Sequence, residues 1–91
     1  VRAVKAVFRK HGLEEYDVYP PMHGLGLAEA ESPYPDADSD YPLETGMCVN
    51  SDISLFGHPD GSNRIEEGFM ITEAGAESLT PSIRELVARG V

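Results

Sequence analysis

The sequence of 91 residues predicts a small α+β unit in which an N-terminal helix is followed by antiparallel hairpins. Three observations predict it. Apolar residues recur at helical spacing over the first ten positions, and two strand-length runs rich in β-branched and aromatic residues flank the turn-rich break Gly57-His58-Pro59-Asp60-Gly61. A second turn, from Thr72 to Ala76, then leads into a further short run. With 41% apolar residues, 8% aromatic residues and no Trp, the chain has material for one modest core.

Val1, Val4, Val7 and Phe8, with Ala3 and Ala6 between them, form the apolar side of the helix, while Arg2, Lys5 and Arg9 form the other. Lys10 and His11 suit its negative C-terminal end, and Gly12 suits the left-handed residue that stops it. The helix reads as a packing element with a solvated basic face. Leu13 to Pro21 alternates briefly through Tyr16, Val18 and Tyr19 until Pro20-Pro21 ends any strand. Met22 to Leu27 reads as a loop that sets His23 between a double proline and two glycines, so the backbone is fixed on one side and open to close approach on the other. A lone His is more often a hydrogen-bonded structural residue than a ligand, and composition alone gives His23 that role.

Ala28 to Glu44 is an acidic, turn-rich loop that carries Pro33, Pro35 and Pro42. Its run Asp36-Ala37-Asp38-Ser39-Asp40 imitates the start of an EF-hand. Tyr41 stands where that loop needs Gly, however, and Met47 where it needs a bidentate Glu, which rejects a calcium site. Pro42 to Gly46 turns the chain into the first long strand. There Asn50, Asp52 and Ser54 share one face, expected to look into a polar cleft, and Val49, Ser51, Ile53 and Leu55 share the other, expected to look into a core. On the return strand Arg64, Glu66 and Gly68 alternate with Ile65, Glu67, Phe69 and Ile71. Closing the hairpin symmetrically about Pro59 brings Asp52 opposite Glu66, with Cβ atoms about 5 Å apart. Two opposed carboxylates repel, so the pair calls for a bound metal or a shared proton, and Arg64 is placed to hold a carboxylate. Glu77 to Thr80 reads as a short last strand, and Ser82 with Glu85 as a capping box for a helix running to Arg89 and ended by Gly90.

The net charge is −9, and Arg2, Lys5, Arg9 and Lys10 supply four of the seven cations, leaving three to face all sixteen acids in the rest of the chain. Such a surface repels phosphate backbones, so nucleic acid is an unsuitable partner and a divalent cation a suitable one. No run reaches transmembrane length, and no membrane partner is expected. The single cysteine, Cys48, excludes an internal disulfide and a multi-cysteine zinc site and suits a reducing cytoplasm. The chain opens on Val1 inside a helical pattern, without Met or a signal sequence, and is expected to be a partial chain.

Taken in order, these residues resemble the pita-bread metallohydrolases, the family of methionine aminopeptidase, Xaa-Pro aminopeptidase, prolidase and creatinase. His23-Gly24-Leu25-Gly26-Leu27 looks like the family's His-x-hydrophobic-Gly-hydrophobic motif. The strand opening on Gly46-Met47 is similar to one whose metal-binding Glu falls here on Asp52, and Arg64-Ile65-Glu66-Glu67 resembles an Arg-Ile-Glu-Asp motif with a second metal-binding Glu at Glu66. The resemblance implies that residues 1–91 are the C-terminal half of a pita-bread catalytic domain. It also implies a metal-dependent hydrolase in which a metal-activated water attacks a peptide or small amide substrate. His23, Asp52 and Glu66 would be ligands to manganese, cobalt, iron or zinc in a dinuclear site, completed by two aspartates of the N-terminal half. Xaa-Pro peptidases carry a second His seven residues after the first; here that position is Ala30, and Glu29 is the alternative acid or base. His23 and Glu29 are thus the candidate catalytic residues. The alternatives are a non-peptidase relative, such as a lyase or hydrolase of small osmolytes related to creatinase, or a metal-free binding domain that kept the fold. A homodimer is left open.

Overall fold

A computed structural model of the chain describes residues 1–90. Arg2–Lys10 forms helix α1, as the periodicity predicts, and it ends at His11 and Gly12, whose φ of +67° is the left-handed conformation that favours glycine. Phe8 is its buried apolar residue, whereas Val7 on the same expected side is 56% exposed. Lys5 Nζ donates to Asp17 Oδ2 at 2.5 Å and ties the helix to the segment that follows. That segment does not form a strand: Glu14–Tyr16 is a single 3-10 turn. Its alternation is too short to pair once Pro20 and Pro21 have removed two N–H donors.

Four antiparallel strands form one sheet in chain order, β1 (Met22–Gly24), β2 (Cys48–Leu55), β3 (Asn63–Thr72) and β4 (Gly75–Ser78). The α+β expectation is met. The β2–β3 register runs from Cys48↔Met70 to Leu55↔Asn63, symmetric about Pro59, and places Asp52 opposite Glu66. The stretch expected to be a loop at Met22–Leu27 instead begins as the edge strand β1, paired through Met22↔Ser51, His23↔Asn50 and Gly24↔Val49. The double proline does not prevent this, because an edge strand needs only its carbonyls on one side; Pro21 O accepts from Asp52 N at 2.9 Å. Gly24 is needed for close approach. Its N–H donates to Pro33 O at 2.7 Å, and a Cβ there would collide with the backbone carbonyls of Glu31 and Ser32.

The polar face of β2 borders the expected cleft, but it is also the more evenly buried of the two faces. Asn50, Asp52 and Ser54 on the polar face are buried, at 6%, 8% and 3% exposure, while Ser51, Ile53 and Leu55 are only half-buried and Val49 alone is deeply enclosed on their side. Tyr19, Pro20 and the loop after β1, through Ala28 to Ala30 and Tyr34, stand over the polar face. Helix α2 (Pro81–Ala88) lies beside Ile53 and Ile65 on the apolar face and leaves an open groove of about 440 Å³ between them. Arg84 Nε donates to Glu67 Oε1 at 2.9 Å and holds α2 in place. The Ser82–Glu85 capping box does not form: Pro81 takes the first helical position, with Thr80 before it. Thr80 Oγ1 accepts instead from Gly68 N at 3.3 Å. The last strand starts earlier than expected, at Gly75, because Thr72 Oγ1 donates to Gly75 O at 2.8 Å and closes the turn tightly. Among the described residues, no helix is long and apolar enough to cross a membrane.

Candidate functional site

Antiparallel pairing puts directly opposed residues on one face of the sheet. The pairs His23↔Asn50, Asp52↔Glu66 and Ser54↔Arg64 therefore bring an imidazole, two carboxylates, an amide, a hydroxyl and a guanidinium to a single surface. Each is delivered by β-periodicity. His23 joins them only because β1 pairs with β2.

Hydrogen bonding fixes the tautomer of the imidazole. His23 Nδ1 lies 2.8 Å from Gly24 O, and a carbonyl can only accept, so Nδ1 carries a proton and Nε2 is the nitrogen whose lone pair the tautomer leaves for a ligand. That lone pair faces the carboxylates, with Asp52 Oδ2 at 3.9 Å. The buried Asp52 carboxylate receives Ser54 Oγ at 2.9 Å and lies 3.2 Å from Arg64 Nε, which also donates to Ser54 Oγ at 3.1 Å. Arg64 extends towards Glu66 Oε1, at 3.9 Å, and its guanidinium sits over the rings of Tyr19 and Phe56, at 5.1 and 5.6 Å. Glu66 Oε2 accepts from Asn50 Nδ2 at 2.7 Å, and the same amide is 3.4 Å from His23 Nε2. Like charges directly opposed across a sheet destabilise it, and here Arg64 and Asn50 offset that repulsion.

A cleft of about 560 Å³ opens beside this surface, lined by Tyr19, Pro20, His23, Ala28, Glu29, Ala30, Tyr34, Asp52 and Arg64. The structure thus brings His23, Asp52 and Glu29 to one cleft, and sets Glu66, outside the lining of that cleft, opposite Asp52 on the same face. Among the described residues, no three His, Cys, Asp or Glu groups converge as a ready metal site, because Arg64 and the Asn50 amide stand among them. The donor chemistry nevertheless fits a divalent cation: an imidazole nitrogen with a free lone pair and two carboxylates share one face. Sequence reasoning placed Asn50 and Ser54 on the cleft face without assigning them a contact, and gave Tyr19 and Phe56 no part in the site. An Asn in mid-strand, where β-propensity disfavours it, was the signal available for Asn50.

Comparison with known proteins agrees with this fold. No family model matches the chain. It is 34% identical over 85 residues to the probable dipeptidase PepE of Mycobacterium tuberculosis, covering 93% of this chain and 23% of that protein. The solved structure of an Xaa-Pro dipeptidase from Bacillus anthracis superposes with a TM-score of 0.74 at 32% identity, over 84% of this chain and 21% of that one. The dimethylsulfoniopropionate lyase DddP of Roseobacter denitrificans is 47% identical over 68 residues, covering 65% of this chain and 15% of the lyase. The chain spans about a quarter of the length of the curated dipeptidases it matches. In sequence over nearly all its length, and in the fold of its sheet, the chain belongs to the pita-bread family of the dipeptidases and prolidases it resembles.

Proposed function

We propose that residues 1–91 form the C-terminal half of a pita-bread catalytic domain, and that the intact protein is a metal-dependent hydrolase of peptide-like or small amide substrates. The observation that carries this reading is the meeting of His23, Asp52 and Glu66 on one face of a sheet that superposes on dipeptidase structures. His23, Asp52 and Glu66 would hold manganese, cobalt, iron or zinc, with further ligands supplied by the N-terminal half. When bound, such a cation supplies Lewis acidity and lowers the pKa of a water. The chain's own residues do the rest. Gly24 O locks the His23 tautomer, Arg64 and Ser54 hold Asp52, and Glu29, in the wall of the cleft, takes up or returns a proton in place of the His replaced by Ala30. The setting we infer from the single Cys48 is the cytoplasm.

The test is turnover of an Xaa-Pro dipeptide by the metal-loaded intact protein. Weak hydrolysis is expected, raised on the order of 100-fold by Ala30→His, because Ala can neither donate a hydrogen bond nor move a proton. Glu66→Gln is expected to abolish metal-dependent turnover. Full activity after exhaustive chelation would overturn the metal role. The lyase likeness and Ala30 together favour a second reading, a lyase of small osmolytes, whose cleft would hold a compact cation between Tyr19, Tyr34 and Glu29. Consumption of dimethylsulfoniopropionate with no dipeptide turnover, before or after Ala30→His, decides for that reading.

A further inference from the structure

Asn50 lies between two of the proposed ligands. It is buried in the middle of β2, opposite His23 on one side and Gly68 on the other, with Nδ2 2.7 Å from Glu66 Oε2 and 3.4 Å from His23 Nε2. An amide NH2 has two protons and no available lone pair, so it satisfies two acceptors and binds no cation. At His23 Nε2 the lone pair that it engages is the one a divalent cation needs, and at Glu66 it engages one of the carboxylate's lone-pair sites, on Oε2. At His23 there is no substitute, because Nδ1 is already committed to Gly24 O.

We infer that the carboxamide of Asn50 plugs the proposed metal site: it holds the donor atoms of Glu66 and His23 by hydrogen bonds, and a cation reaches them only after this amide turns away. The inference rests on the metal-site reading above. Asn50 is a positioning residue acting through Glu66 and His23. Its placement differs from that of a supporting partner, which bonds the far atom of a ligand, as Gly24 O does at His23 Nδ1. Asn50 bonds the near atoms. Loss of a supporting partner weakens metal binding by about 10- to 100-fold; loss of a plug strengthens it. The sign of the effect therefore separates the two roles.

The experiment titrates the metal-free intact protein with Mn²⁺ or Zn²⁺ in competition with a chromophoric chelator. It compares the unaltered protein with Asn50→Ala and with Asn50→Ser, whose side chain is too short to reach Glu66. Both variants are expected to bind about tenfold tighter or more, the range set by a hydrogen bond to a charged group, and adding Glu66→Gln to Asn50→Ala should remove the gain. Unchanged or weaker binding by both variants, where the unaltered protein binds, overturns the plug and leaves the metal reading standing. Failure of every form to bind overturns both. As a second measurement, the ¹⁵N shift of His23 Nε2 in the metal-free protein should move on Asn50→Ser towards that of a nitrogen accepting no amide proton. Should Asn50→Ala not fold, Asn50→Ser alone carries the affinity comparison. Should neither fold, the Nε2 shift of the unaltered protein decides, and a value showing no bonded amide overturns the inference.

Discussion

Replacing Arg64 with Leu strips Asp52 of its countercharge while keeping apolar bulk against Tyr19 and Phe56. The Asp52 side chain is 11% exposed and that of Arg64 is 38% exposed, with 3.2 Å between Nε and Oδ1. Removing one partner of a fully buried pair costs about 3–5 kcal/mol, because a charge is left without compensation. Arg64 is more than a third exposed, so solvent screens the pair, and the ion-pair loss is better set at about 2 kcal/mol. Loss of the cation's attraction to the two ring faces adds about 1 kcal/mol. Together these come to about 3 kcal/mol, and at about 1.4 kcal/mol per tenfold, opening of the β2–β3 hairpin becomes on the order of 100-fold more frequent. Hydrogen exchange of the amides from Asn50 to Glu66 in the metal-free intact protein reads this directly. Adding Asp52→Asn removes the stranded charge while an amide oxygen still accepts from Ser54, so the double variant should recover most of the lost protection. Exchange within about twofold of the unaltered protein after Arg64→Leu, or no recovery in the double variant, would refute the charge argument.

Two further outcomes follow from the packing. Gly24→Ala forces a Cβ into the carbonyls of Glu31 and Ser32, which should cost about 1–3 kcal/mol, loosen β1 and carry His23 away from Asp52; unaltered exchange at Gly24 N and Leu25 N would show that the backbone yields without cost. The chain expressed alone should show amide exchange close to that of unstructured peptide, because Phe8 and Val49 are its buried apolar residues and its enclosed face is polar. Strongly protected amides across β2 and β3 with cooperative unfolding would show that it is self-sufficient.

Much of this was legible in local pattern. The end of α1 follows from its basic last turn and Gly12, and the β2–β3 register from a turn cluster centred on Pro59. Once the register is set, a period of two leaves no freedom in which side chains face each other, so the opposition of Asp52 and Glu66 and the placement of Arg64 beside them come from sequence alone. The rest depended on partners far along the chain. Whether Met22–Gly24 is loop or strand is decided by the free edge of β2, to which its own residues give no clue, and that pairing carries His23 to Asn50 across 27 positions. The burial of the polar face is likewise set by what stands over it, Tyr19, Pro20 and the loop beyond β1, whereas α2 leaves the apolar face half open. A strand's pattern states which side chains share a face, but burial is a property of the other layer, and the hydrogen bonds that tie His23, Asn50 and Glu66 together exist only where three strands meet.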